Sequence, residues 1–172
     1  AYCNGSTPAS ITLDGSSTGV TYRLYNGATA VGAPVSGSGG SISFGSYTTT
    51  GSYSVLATNA TTGCTAPMSG SASVMQNPLP ASYSVTGGGN YCSGGAGVAV
   101  GLSSSSVGVN YQLFNGTAAV GGPVTGTGSP ISFGPQTATG NYTVLADNSA
   151  THCTATMTGS ATINVSSLPN VY

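Results

Sequence analysis

Ile42-Ser43-Phe44-Gly45, then Gly51-Ser52-Tyr53-Ser54-Val55-Leu56-Ala57-Thr58-Asn59, then Cys64: this stretch decides how the chain is read, because it occurs twice. It returns as Ile131-Ser132-Phe133-Gly134, then Gly140-Asn141-Tyr142-Thr143-Val144-Leu145-Ala146-Asp147-Asn148, then Cys153. Ile42 maps to Ile131, Tyr53 to Tyr142 and Cys64 to Cys153, a constant offset of 89 residues. A fixed offset over so many positions means two copies of one structural unit. Within the stretch, Tyr53, Val55 and Ala57 alternate with other residues, which is the period of a strand with one buried face.

The flanking sequence has the same character. Ser10-Ile11-Thr12-Leu13 reads as a half-buried strand, and Val20-Thr21-Tyr22-Arg23-Leu24-Tyr25 alternates in the same way. The second of these runs into Asn26-Gly27, a strong hairpin signal, and the chain returns through Ala30 and Val31. After Cys64 a last strand passes through Ala72 and Val74 to the joint Asn77-Pro78-Leu79-Pro80, where proline halts sheet propagation. The second copy repeats this order, and no helical period of any length occurs. Gly-x-Tyr-x-Val, at Gly51–Val55 and Gly140–Val144, matches the tyrosine corner of immunoglobulin-like sandwiches, in which the tyrosine ring packs inward and its hydroxyl caps nearby backbone. The expected fold is all-β: two tandem immunoglobulin-like or fibronectin-III-like β-sandwiches, at residues 1–78 and 79–167, with 168–172 beginning a further repeat.

That last assignment comes from comparing the ends of the copies. Ser82-Tyr83-Ser84-Val85-Thr86-Gly87 precedes the second copy as a candidate opening strand, whereas Ala1 already matches Asn90. Leu168-Pro169-Asn170-Val171-Tyr172 matches Leu79 through Tyr83. The expectation is a window on a longer array, in which the first copy takes its opening strand from a neighbour. The expected partners are therefore further copies of the same repeat, in cis or by strand addition.

Composition excludes several function classes. Arg23, Asp14, Asp147 and His152 are the only side chains of those kinds, and Lys and Glu are absent. With no basic patch the chain is not expected to bind nucleic acid. It has neither the cationic face of an interfacial helix nor the roughly 18–20 apolar residues of a spanning one, so no membrane insertion is expected. Apolar residues still make up 38% of the chain, enough for a packed core, with a surface hydrated by hydroxyls and amides instead of ions.

The four cysteines form two equally spaced pairs, Cys3 with Cys64 and Cys92 with Cys153. One disulfide per unit is the economical reading, and it implies an oxidising, extracellular setting. Zinc is the rival, but no CxxC spacing supports it, and two aspartates are too few for a tight calcium site, so no metal or other cofactor is expected.

Asp147 and His152 near many serines raise a Ser-His-Asp hydrolase. Their counterparts in the first copy are Thr58 and Gly63 and no Gly-x-Ser-x-Gly elbow occurs, so the chain is read as a non-enzyme. Tyr25, Tyr47 and Tyr83 are freer of the core pattern and are the candidate contacts for a ligand such as a surface polysaccharide. Tyr22, Tyr53, Tyr111 and Tyr142 fall on the core-facing phase.

Both copies resemble the tandem immunoglobulin-like repeats of very large surface adhesins of Bacteroidota, including gliding flavobacteria. The likeness is carried by Tyr91-Cys92-Ser-Gly-Gly, Val109-Asn-Tyr111-Gln-Leu113-Phe114-Asn115-Gly116, Ile131-Ser-Phe133-Gly134, Gly140-Asn-Tyr142-Thr-Val144, Cys153-Thr-Ala-Thr-Met157-Thr-Gly159-Ser and the Asn-Pro-Leu-Pro joint. The resemblance implies a β-sandwich, export to the cell surface by type IX secretion and service as an adhesin stalk or filament. The first copy departs from it at Asn4-Gly-Ser-Thr-Pro8, where the second has Ser93-Gly-Gly-Ala-Gly97. The function expected is thus a self-assembling structural repeat, with a glycan-binding module as the alternative.

Overall fold

The structure, a computed structural model, describes residues 1–169. Among the described residues there are strands and no helix, and the chain divides into two compact units, Ala1–Asn77 and the chain from Pro78 onward. The last three residues of the expected following repeat at 168–172 lie outside the described residues.

Unit 1 is built around β3 (Val20–Asn26), whose neighbours are β4 (Thr29–Ser36) and β6 (Gly51–Asn59). β7 (Thr65–Pro67) and β8 (Ala72–Val74) pair in turn along β6, completing one sheet. Opposite it, β2 (Ser10–Leu13) pairs with β5 (Ile42–Ser46). β1 (Tyr2–Cys3) runs parallel to β9 (Gln76–Asn77). The alternation read from the sequence places Tyr22, Leu24, Tyr53 and Ala57 in the interior.

Unit 2 repeats this plan with more strands engaged. Its larger sheet runs in the order β11 (Gly89–Cys92), β18 (Ala161–Ser166), β16 (Gly140–Asn148), β13 (Val109–Asn115), β14 (Ala118–Thr125), with β17 (Thr154–Thr156) also on β16. The facing sheet is β10 (Val85–Gly87), β12 (Val98–Leu102) and β15 (Ile131–Gln136). The opening segment thus crosses from one sheet to the other between β10 and β11. Gly87 and Gly88, at φ 91° and 87°, make that crossing in backbone conformations that other residues rarely adopt.

Both tyrosine corners form. Tyr53 Oη donates to the Thr49 carbonyl at 2.7 Å, and Tyr142 Oη to the Ala138 carbonyl at 2.8 Å. The hairpin differs from expectation by one residue. Asn26 pairs with Thr29, so the two-residue loop is Gly27-Ala28, with Gly27 at φ 60° in the first central position, as a type II′ turn requires. Asn26 ends the strand, and its amide nitrogen reaches the Thr50 carbonyl at 3.4 Å. Asn115 and Gly116 repeat the arrangement.

The within-unit disulfides expected from equal spacing do not form. Cys64 and Cys92 are exposed free thiols, whereas Cys3 and Cys153 are disulfide-bonded. Geometry explains the correction. Cys3 pairs with Asn77, beyond the Gly51 end of β6, while the Cys64 carbonyl accepts from Asn59 N–H at the other end. Nine residues of strand lie between these levels, roughly 30 Å at about 3.3 Å per residue. A disulfide holds its two Cα atoms about 4.4–6.8 Å apart. Cys92, paired with Ser166, and Cys153, beside Asn148, stand at opposite ends of β16 in the same way.

Candidate functional site

The three tyrosines singled out for ligand contact do not form one site. Tyr25 is half-buried on the outward phase of β3, where Tyr25, Ala28, Leu56 and Pro67 line a shallow depression of about 280 Å³. Tyr47 leans on Tyr53, ring centroids 5.4 Å apart, and packs against the unit 1 core. Tyr83 packs against the unit 2 core, with its hydroxyl 2.9 Å from that of Ser106. Two of the three are therefore structural in their contacts.

Asp147 and His152 make no catalytic arrangement. His152 is exposed in the turn before Cys153, its backbone N–H donating to the Asn148 carbonyl at 2.8 Å. The Asn148 side chain caps the same turn, accepting from Ala150 and Thr151 N–H. One oxygen of Asp147, Oδ1, is buried without a hydrogen-bond partner. Among the described residues no three His, Cys, Asp or Glu side chains gather as metal ligands, and no helix is long and apolar enough to cross a membrane.

The feature with the most developed geometry is a groove in unit 1 of about 250 Å³, between β2 and the segment from Met68 to Ala72. Ile11, Leu13, Val55 and Met68 supply its apolar lining, and Asp14 and Ser69 stand at its margins. β2 pairs only with β5, so one edge of it faces the groove with no strand on it. In unit 2 the equivalent β12 has β10 on that edge. The difference reaches the core. Leu102, Val144, Met157 and Ala161 are between 1% and 3% exposed, while their counterparts Leu13, Val55, Met68 and Ala72 are only half-buried. Unit 2 has a single hydrophobic cluster with Tyr83 and Val85 packed against it; unit 1 has two, one around Tyr53 and Leu24, the other around Tyr22 and Ile42. Unequal openings of the two copies are an expectation of the sequence comparison. That comparison did not point to Leu13, Val55 and Met68 as the lining of a groove, because they come together from segments distant in sequence.

Pairs of β-sandwich modules of the immunoglobulin and fibronectin-III class share this architecture. The structure is similar to the fibronectin(III)-like modules of Clostridium thermocellum CbhA, at 14% identity and a TM-score of 0.50, over 96% of this chain and 91% of that one. Murine CEACAM1b matches at 14% identity and a TM-score of 0.43, over 84% of this chain and 85% of that one. A chimeric titin Z1Z2 tandem matches at 16% and 0.34, over 96% and 93%. No protein-family model matches the chain, and no curated protein matches it in sequence. The first of these likenesses shows the fold class alone, a tandem of all-β sandwiches, and disulfides of the kind that Cys3 and Cys153 make are usual outside the cell.

Proposed function

We propose that the chain is a non-enzymatic structural segment of an extended extracellular fibre, the stalk of a cell-surface adhesin, in which sandwich units are joined in series. The observation that supports this best is the placement of sulfur. Each unit holds its two cysteines at opposite poles, too far apart to bond to each other, so a bridge from either pole must leave the unit. Cys64 and Cys92 are equivalent by repeat to the bonded Cys153 and Cys3 and are exposed thiols. They are complementary ends through which copies of the chain can be linked. A surface nearly free of charge and rich in hydroxyls adds resistance to proteases, since trypsin has Arg23 alone to cut after.

Oxidation with glutathione disulfide tests the reading. The Cys64 and Cys92 thiols of two copies each lose a proton and an electron to form one S–S bond, and one glutathione disulfide becomes two glutathione thiols. The full chain is expected to give a ladder of head-to-tail multimers on non-reducing gels. Cys64→Ser and Cys92→Ser should each stop at dimers, and their mixture should yield the mixed dimer. A wild-type chain that remains monomeric, or carries only glutathione caps, overturns the proposal.

A further inference from the structure

Unit 2 displays what fits the groove of unit 1. There the segment Ser82–Gly87 lies between two rails. On one side Val85, Thr86 and Gly87 pair with Leu102, Gly101 and Val100, and Ser103 N–H donates to the Ser84 carbonyl at 2.9 Å. On the other, Val85 N–H donates to the Thr158 carbonyl at 2.8 Å, and Thr158 N–H to the Tyr83 carbonyl at 2.9 Å. Tyr83 and Val85 turn inward while Ser82, Ser84 and Thr86 face solvent, the alternation of a strand covering a half-open core. Unit 1 has both rails, Ser10–Asp14 and Met68–Ser69, and the groove runs between them.

We infer that this groove is a strand-binding site whose occupant is the opening segment of another copy of the repeat, with the chemistry Ser-Tyr-Ser-Val-Thr-Gly. Each position of that segment has a matching feature in unit 1. The incoming valine fills the space between Ile11, Leu13 and Met68 and merges the two hydrophobic clusters into one. The incoming tyrosine meets Ser17, as Tyr83 meets Ser106. Ser84 N–H donates to the Ser103 hydroxyl at 3.1 Å, and the counterpart of Ser103 is Asp14, so the incoming strand donates to a carboxylate, a stronger acceptor. Glycine is required at the end of the segment. A Cβ at Gly87 would overlap the Ala99 carbonyl, and Ser10 presents the equivalent carbonyl in unit 1. Affinity would come from backbone pairing and specificity from the two inward side chains, the mode of β-strand addition.

The inference rests on the reading of the chain as a serial repeat, but its test involves no cysteine and so can fail separately. A fluorescent peptide of residues 81–88 is titrated into the full 172-residue chain while fluorescence anisotropy and amide hydrogen exchange are followed. Saturable binding is expected, with at least tenfold slower exchange in Ser10–Asp14 and Met68–Ala72. A peptide carrying Val85→Asp should bind at least tenfold more weakly. In a second protein, residues 82–89 are joined ahead of Ala1 to fill the groove from within, and peptide binding should be lost. Absence of binding overturns the inference, as does equal affinity for the Asp peptide, protection confined to other strands, or undiminished binding by the fused protein. A wild-type ladder on oxidation alongside any of these would leave the fibre reading intact and the groove reading refuted.

Discussion

The hydroxyl of Tyr111 accepts a hydrogen bond from the backbone N–H of Ser106 at 2.9 Å, and Tyr22 does the same for Ser17 at the same distance. A ring fully inside the sandwich thereby fixes a loop at its surface. Gly126 completes the device, because a Cβ there would overlap both the Ser106 carbonyl and the Tyr111 ring, and Gly37 repeats this with Ser17 and Tyr22. Phenylalanine would keep the packing and orphan one partly buried N–H. Tyr111→Phe is expected to cost about 1–2 kcal/mol, read as a melting shift of several degrees. Gly126→Ala should cost more, since the obstructing atoms include backbone.

Because each unit has its own core, each should unfold on its own account. Calorimetry of the full chain is expected to show two transitions. The lower belongs to unit 1, whose core is split into two clusters and whose Leu13, Val55, Met68 and Ala72 stay half-buried. Leu24 and Leu113 are equivalent and both fully buried. Leu24→Ala should lower only the first transition and Leu113→Ala only the second, each by about 2–5 kcal/mol. One cooperative transition moved equally by both variants would contradict independent cores.

Much of this was legible in the sequence, and what was missed has a physical cause. Side chains at every second position reported their own burial, so Tyr22, Leu24, Tyr53 and Tyr142 could be assigned inward from local pattern. The tyrosine corner was legible because its partner carbonyl lies four residues away. The disulfides were not, because equal sequence spacing says nothing of distance when a nine-residue strand separates Cys3 from Cys64. Tyr47 looked free because it sits outside a regular alternating run; Tyr83 lies in the alternating segment Ser82–Gly87, but what holds it, Ser106 through its hydroxyl and Thr158 through its backbone, is distant in sequence.

The hairpin turn offers a cleaner test of backbone geometry. Gly27 sits at φ 60°, and no atom lies within 4 Å of the place a Cβ would take, so only conformation resists substitution. Gly27→Ala is expected to cost about 1–2 kcal/mol through the left-handed penalty. Gly122 is equally open and has no such φ, so Gly122→Ala should be neutral or slightly stabilising. Urea denaturation of the two variants isolates backbone strain, since neither position is crowded. Equal effects would count against the assigned turn.

His152 holds φ 55° at the position where the first copy has Gly63 at φ 72°, and it is the one left-handed residue among those described that is not glycine. The turn itself is fixed by backbone and by Asn148: His152 N–H reaches the Asn148 carbonyl, and the Asn148 side chain holds Ala150 and Thr151. Nothing in those contacts uses the imidazole. His152→Gly should therefore stabilise unit 2 by roughly 1 kcal/mol, because glycine adopts this conformation without a Cβ clash. The reverse change in unit 1, Gly63→His, should destabilise it by a similar amount. Thermal melts of the pair, read on the separate transitions of the two units, test the assignment. A loss of stability in His152→Gly would mean that the imidazole contributes to the turn after all.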